Sequence, residues 1–125
     1  MKPQASFLGR IFNASIYSAH GVYAAFKEEA AFRQVLGLSL FLIVILLILP
    51  FSTIERVILI IPLGISIITE LLNSAIENVV DLASPDIHPL AKKAKDMGSA
   101  AQMAALILIF VVWSLVLWNH FKGSF

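Results

Sequence analysis

Glu70, Glu77 and Asp81 are the residues of this chain whose type and spacing point most directly to chemistry. They lie in the run Glu70-Leu71-Leu72-Asn73-Ser74-Ala75-Ile76-Glu77-Asn78-Val79-Val80-Asp81. At about 100° per residue the three carboxylates fall within roughly 40° of one another on a helix, with Asn73 on the flank of the same stripe. Leu71, Leu72, Ala75, Ile76, Val79 and Val80 fill the other side. Ionisable groups at membrane depth are costly and line a protein interior or a water-filled cavity, so the stripe is a candidate functional site. Glu77 and Glu29 belong to two different helical segments at matching depth, and one or two carboxylates together with substrate phosphates are how magnesium is normally held. Lys95 could neutralise phosphate charge beside them. Glu70 lies two turns deeper than Glu77, about 10 Å along the axis. Water is scarce there, and a carboxylate so placed could act as a general base toward the hydroxyl of a lipid. For Asp81, close to the surface, a structural ion pair and a functional role both remain open.

These side chains need a scaffold that keeps them tolerable in lipid. The 125 residues are 59% hydrophobic and 14% charged, which is too apolar for an ordinary soluble domain, and the chain is too short for two. The formal net charge of +1 gives no hint of nucleic acid, and the absence of cysteine excludes a disulfide frame, a thiolate nucleophile and a thiolate zinc site. The polar, mixed first thirty or so residues lack the early apolar core of a signal peptide.

The expected fold is all-α: one integral membrane domain, 1–125, with three transmembrane helices and an N-terminal amphipathic surface helix. Residues 5–29 mingle Phe7, Leu8, Ile11, Ile16, Tyr17, Val22, Tyr23 and Phe26 with Arg10, Asn13, His20 and Lys27, interrupted by Gly21; one or two helical segments lying at a membrane surface are expected. A first span is expected over 33–51, ended by Pro50, Ser52 and Thr53, with Glu55-Arg56 as a short turn. The second covers 56–81, where neighbouring helices can satisfy the backbone freed at Pro62 and Gly64. Residues 82–95 read as a polar loop, with turn chemistry at Ser84-Pro85-Asp86 and His88-Pro89 and a basic end at Lys92, Lys93 and Lys95. The third span covers 97–118, opened by the small residues Gly98, Ser99, Ala100 and Ala101 and closed by Trp113 and Trp118 as an interfacial belt.

Lys2, Arg10, Lys27 and Arg33 precede the first span and three lysines sit between the second and third, against Arg56 and Lys122 on the other side. Positive-inside counting puts the N-terminus in the cytoplasm. His20, His88 and His120 lack ligand spacing and read as polar surface residues. Phe41, Phe51, Phe110 and Phe121 read as lipid-facing or packing residues. Asp96 suits either a nucleotide contact or a stabilising charge at the N-terminus of the third span.

Three blocks carry a resemblance. Glu29-Ala30-Ala31-Phe32-Arg33-Gln34, the run from Glu70 to Asp81, and Ala94-Lys95-Asp96-Met97-Gly98-Ser99-Ala100-Ala101 resemble the signature blocks of the small prokaryotic membrane diacylglycerol kinases, over nearly the whole chain. The resemblance implies a homotrimer of the bacterial inner membrane that phosphorylates diacylglycerol with MgATP, Mg2+ being the cofactor, at sites built where subunits meet. It implies Glu70 as catalytic base with Asn73 in support, and Glu29 and Glu77 as ligands of the divalent metal and the nucleotide. Arg10, Tyr17, Asp86, Ile87, His88, Lys95 and Asp96 are implied as further nucleotide contacts. The lipid substrate is implied to lie near Arg10, Ala31, Phe32, Arg33, Gln34, Val35, Arg56, Glu70, Ser99 and Trp113. The chain lacks Gly-x-x-x-x-Gly-Lys-Ser/Thr, His-Arg-Asp and Asp-Phe-Gly, in agreement with a family that uses none of the usual kinase motifs. Direct in-line transfer, without a phosphoenzyme, is the expected route. Three alternatives stand beside it: undecaprenol as the lipid within the same family, a small proton or cation carrier with the stripe as its relay, and a non-catalytic assembly subunit.

Overall fold

Helix ends in this chain are set by short polar and proline signals, and they decide where the functional side chains stand. The computed structural model describes residues 4 and 6–123; Lys2, counted in the charge argument, and Ala5, the first residue of the expected surface helix, lie outside the described residues. Ser6 caps the first helix, α1 (Phe7–Glu28), its hydroxyl accepting from the Gly9 N–H at 3.1 Å. α1 runs through Gly21 as one helix and buries Ala25 alone, leaving its aromatic residues exposed. Glu29 then leaves the helical conformation, and α2 (Ala30–Ile48) begins at the next residue.

α2 stops earlier than the apolar run suggests. Proline disfavours the helical region for the residue before it, and Leu49, before Pro50, is extended at φ −73°, ψ 150°. Ser52 starts α3 (Thr53–Ala83) with a capping box: its hydroxyl accepts from the Glu55 N–H and the Glu55 carboxylate accepts from the Ser52 N–H at 2.8 Å. Glu55 and Arg56 are therefore the first turn of a helix, a correction to the expected short turn. α3 passes through Pro62, which is buried, without a break. At 1.5 Å per residue its 31 residues span about 46 Å.

The expected loop over 82–95 is also corrected, because only Ser84–His88 separate α3 from α4 (Pro89–Lys122). Pro89 is a favourable first helical residue, since its missing N–H would have lacked a partner there, and His88 Nδ1 accepts from the Leu90 N–H at 3.1 Å. Asp96 thus stands in the second turn of α4, paired with Lys92 at 2.5 Å, and is no N-terminal charge. Among the described residues there is no strand, and α2, α3 and α4 are long and apolar enough to cross a membrane, making this a multi-pass membrane protein.

The antiparallel pair α3 and α4 is the backbone of the bundle. In lipid, helices are held by close packing and interhelical hydrogen bonds, since acyl chains are as apolar as leucine. Polar rungs mark this seam from end to end: His120 Nδ1 to Glu55 Oε2 at 3.0 Å, the Trp113 indole donating to the Leu59 carbonyl at 3.1 Å, Gln102 Nε2 donating to Ser66 Oγ at 3.1 Å, and Lys95 to Asp81 at 2.5 Å. An apolar core of Leu46, Phe51, Leu59, Leu63, Ile109, Trp113 and Val116 fills the end near the α2–α3 turn. Trp113 is buried there, which corrects its expected interfacial placement; Phe51 is buried as a packing residue, one of the two roles expected of it, and His120, stacked on Phe51 at 4.8 Å, is no lone surface residue. The carboxylate stripe occupies the opposite, more open end, against α1.

Candidate active site

Glu70 is only 3% exposed, although it stands in the middle of α3. Its stripe neighbours Asn73 and Ser74 are buried as well, while Glu77 is half-buried and Asp81 exposed, so the stripe emerges gradually from protein into open space. Glu29, at the α1–α2 junction, is half-buried. Glu29 lines a cleft between α1 and α3 with Leu71, Ser74 and Asn78, so the elbow faces the part of α3 that carries Glu70 and Glu77. Among the described residues no three acidic or histidine side chains meet at one point. A pair of carboxylates, Glu29 and Glu77, is nonetheless a donor set that suits magnesium when phosphate oxygens complete its shell.

Asn73 links the two depths. Its amide Nδ2 donates to Glu77 Oε1 at 3.4 Å, while its buried Oδ1 has no partner and lies against Gly98 of α4. A Cβ at position 98 would collide with that oxygen, so the glycine is what allows α4 to close over Asn73. One turn earlier, Lys95 grips Asp81, and that hydrogen bond chiefly raises the lysine, on the polar first turns of α4, above its ordinary pKa; the Asp81 and Glu77 charges add to it against partial burial. Asp86, Ile87, His88, Lys95 and Asp96 line one cavity of about 330 Å³ together with Asp81 and Lys92. The five expected nucleotide contacts of this region are therefore neighbours. The cleft between α1 and α3, of about 430 Å³, runs past Ser18, Gly21, Glu28, Glu29, Ser74 and Asn78.

The chain matches the family described as prokaryotic diacylglycerol kinase over residues 16–117. It belongs to that family. Diacylglycerol kinases of Pseudomonas aeruginosa, Helicobacter pylori and Escherichia coli are similar to it over most of its length. The first is 51% identical over 110 residues, 88% of this chain and 89% of the relative. The second is 46% identical over 89% of this chain and 87% of the relative, and the third 46% over 90% and 92%.

Not every residue expected at the site gathers in a single chain of this kinase. Arg10 and Tyr17 stand exposed on α1. Phe32 and Val35 are buried in packing, Ala31 and Gln34 are exposed, and Ser99 is exposed on α4. Arg33 directs its guanidinium at backbone carbonyls of α1, with bonds of 2.8 and 3.1 Å. Arg56 and Trp113 lie at the far end of the bundle; Arg56 is 14 residues from Glu70 along one helix, about 21 Å. Gly98 was expected as a small residue at a helix contact, but its partner Asn73 and the Gln102–Ser66 bond were missed. Gln102 and Ser66 are 36 residues apart and meet only once α3 and α4 pair, so no local spacing announces them.

Proposed function

We propose that this diacylglycerol kinase transfers the γ-phosphoryl group of ATP directly to the free hydroxyl of diacylglycerol, at the end of the bundle where Glu70, Glu77, Glu29 and Lys95 gather. The observation that carries this is the carboxyl of Glu70, buried inside a spanning helix, with Glu77 two turns along the same helix and bonded there to the buried Asn73. A hydrocarbon layer of about 30 Å takes roughly 20 helical residues. Counted from Thr53, it is used up near Leu72, so Glu70 falls just inside and Glu77 about 7 Å beyond, among headgroups and water. Those two depths suit an alcohol on a lipid and a phosphate on a soluble nucleotide.

Glu70 accepts the hydroxyl proton as the lipid oxygen forms its bond to phosphorus and the bond to ADP breaks; phosphatidic acid and ADP are the products. Glu29 and Glu77 would hold Mg2+, which when bound supplies charge neutralisation to the transferring group. Asn73 keeps Glu77 in place. Lys95 and Asp96, with Asp86, Ile87 and His88, receive the nucleotide in the cavity they share. Arg10 and Tyr17, free on α1, are available to a neighbouring subunit, as a homotrimer with shared sites requires. Ala31, Gln34 and Ser99 present exposed edges for the lipid. Positioning and charge neutralisation do most of the work in such a transfer. The charge distribution favours a cytoplasmic N-terminus in the inner membrane, which puts this end of the bundle on the ATP side.

Purified protein in mixed micelles, given labelled ATP with either diacylglycerol or undecaprenol, tests the proposal. Labelled phosphatidic acid is expected, together with its loss in Glu70→Gln. Exclusive labelling of undecaprenol would overturn the choice of lipid, and a stable acyl phosphate on the protein after ATP alone would overturn direct transfer.

A further inference from the structure

Glu29 is the single residue between α1 and α2, with extended φ −113° and ψ 108°. A helix end leaves carbonyls without intrahelical donors, and α1 has such an end here. Two of these carbonyls, Phe26 and Lys27, accept from the same guanidinium nitrogen of Arg33, at 2.8 and 3.1 Å. The backbone N–H of Arg33 meets the Glu29 carbonyl at 3.2 Å, and the Glu29 N–H meets the Ala25 carbonyl at 2.9 Å. Arg33 therefore grips the elbow twice, once through its peptide and once through its side chain. A cation at a helix C-terminus is favoured by the helix dipole, and charged donors make the stronger hydrogen bonds. Few other contacts steer α1, which buries one residue of its 22. Glu29 has no side-chain hydrogen bond as a cap, so the direction of its carboxylate is set by the elbow.

We infer that Arg33 is a positioning residue: by tying the last carbonyls of α1 to the first turn of α2 it fixes the elbow, and so presents the Glu29 carboxylate to the metal and nucleotide. The inference rests on the role proposed for Glu29. It differs from the lipid-contact role that the resemblance implied for Arg33.

The test uses the full-length protein in detergent micelles, with Mn2+ binding followed by electron paramagnetic resonance in the presence of a non-hydrolysable ATP analogue. Arg33→Gln is expected to weaken Mn2+ binding about tenfold, the fold-change that goes with losing a charge-assisted hydrogen bond, and to raise the KM for MgATP alike. The KM for diacylglycerol should stay put. Arg33→Lys, which keeps the charge but not the fork, should recover part of the loss. A double variant with Glu29→Gln should bind Mn2+ no worse than Glu29→Gln alone, because both act through one carboxylate. Unchanged Mn2+ affinity in Arg33→Gln, additive losses in the double variant, or a rise confined to the KM for diacylglycerol would each overturn the inference. Wild-type protein that binds no Mn2+ with the nucleotide would instead overturn the proposed role of Glu29 itself.

Discussion

Glu70 and Glu77 are the same residue type two turns apart, yet their surroundings assign them different work. Replacing the buried one removes a proton acceptor, a contribution of roughly 10²- to 10⁴-fold. Glu70→Gln should therefore lower kcat by about that factor while leaving the KM for MgATP within about twofold, as steady-state assays at saturating lipid will show. Glu77→Gln should mainly raise the Mg2+ concentration needed for half-maximal rate. Gly98 is tested through its neighbour. Gly98→Ala forces a methyl group against Asn73 Oδ1, and overpacking of a tight seam costs about 1–3 kcal/mol. Its effect on melting temperature and activity should shrink in an Asn73→Ala background, because the collision partner is then gone.

At the scale of elements, the seam between α3 and α4 carries most of the specific contacts. Trp113→Phe keeps most of the packing but removes the interhelical bond to the Leu59 carbonyl, at a cost of about 1 kcal/mol, measurable as a lower melting temperature in detergent. Glu55 ties His120 with one oxygen and caps α3 with the other. Glu55→Ala should lose more thermal stability than His120→Asn, which spares the cap. The spans and the acidic stripe were legible beforehand, since hydropathy and the 3.6-residue period are local signals. The ends were less so: His88-Pro89 reads as a turn, but proline is also at home in the first position of a helix, and α4 uses it that way. Trp113 near the end of an apolar run reads as a belt residue, and only its partner 54 residues away shows it to be core. The candidate site was half legible: periodicity places Glu70 and Glu77 on one face and depth counting brings Glu29 level with Glu77, while no spacing foretells the extended elbow that takes Glu29 out of both helices.

For the whole molecule, most of the bundle's apolar surface is uncovered within one chain: the spanning windows of α2, α3 and α4 are 22%, 39% and 28% buried. That leaves ample surface for lipid and for neighbouring subunits. If sites are shared, as proposed, mixing inactive Glu70→Gln subunits with inactive Tyr17→Ala subunits should restore part of the activity, whereas sites confined to one chain would restore none. The absence of cysteine makes topology directly measurable. With membrane-impermeant maleimide on intact spheroplasts, Lys122→Cys should react and Ser84→Cys should react only after permeabilisation.

The unbroken course of α3 through Pro62 makes it a ruler of fixed length set into a layer that is not. The gap between Glu70 and Glu77 is frozen by the helix, but the immersion of the pair follows the thickness of the host membrane. In short-chain lipid Glu70 rises toward water, and in long-chain lipid it sinks beyond the reach of an alcohol held at the headgroups. Turnover should therefore peak at one acyl length of the surrounding lipid, so that the membrane itself meters the enzyme embedded in it.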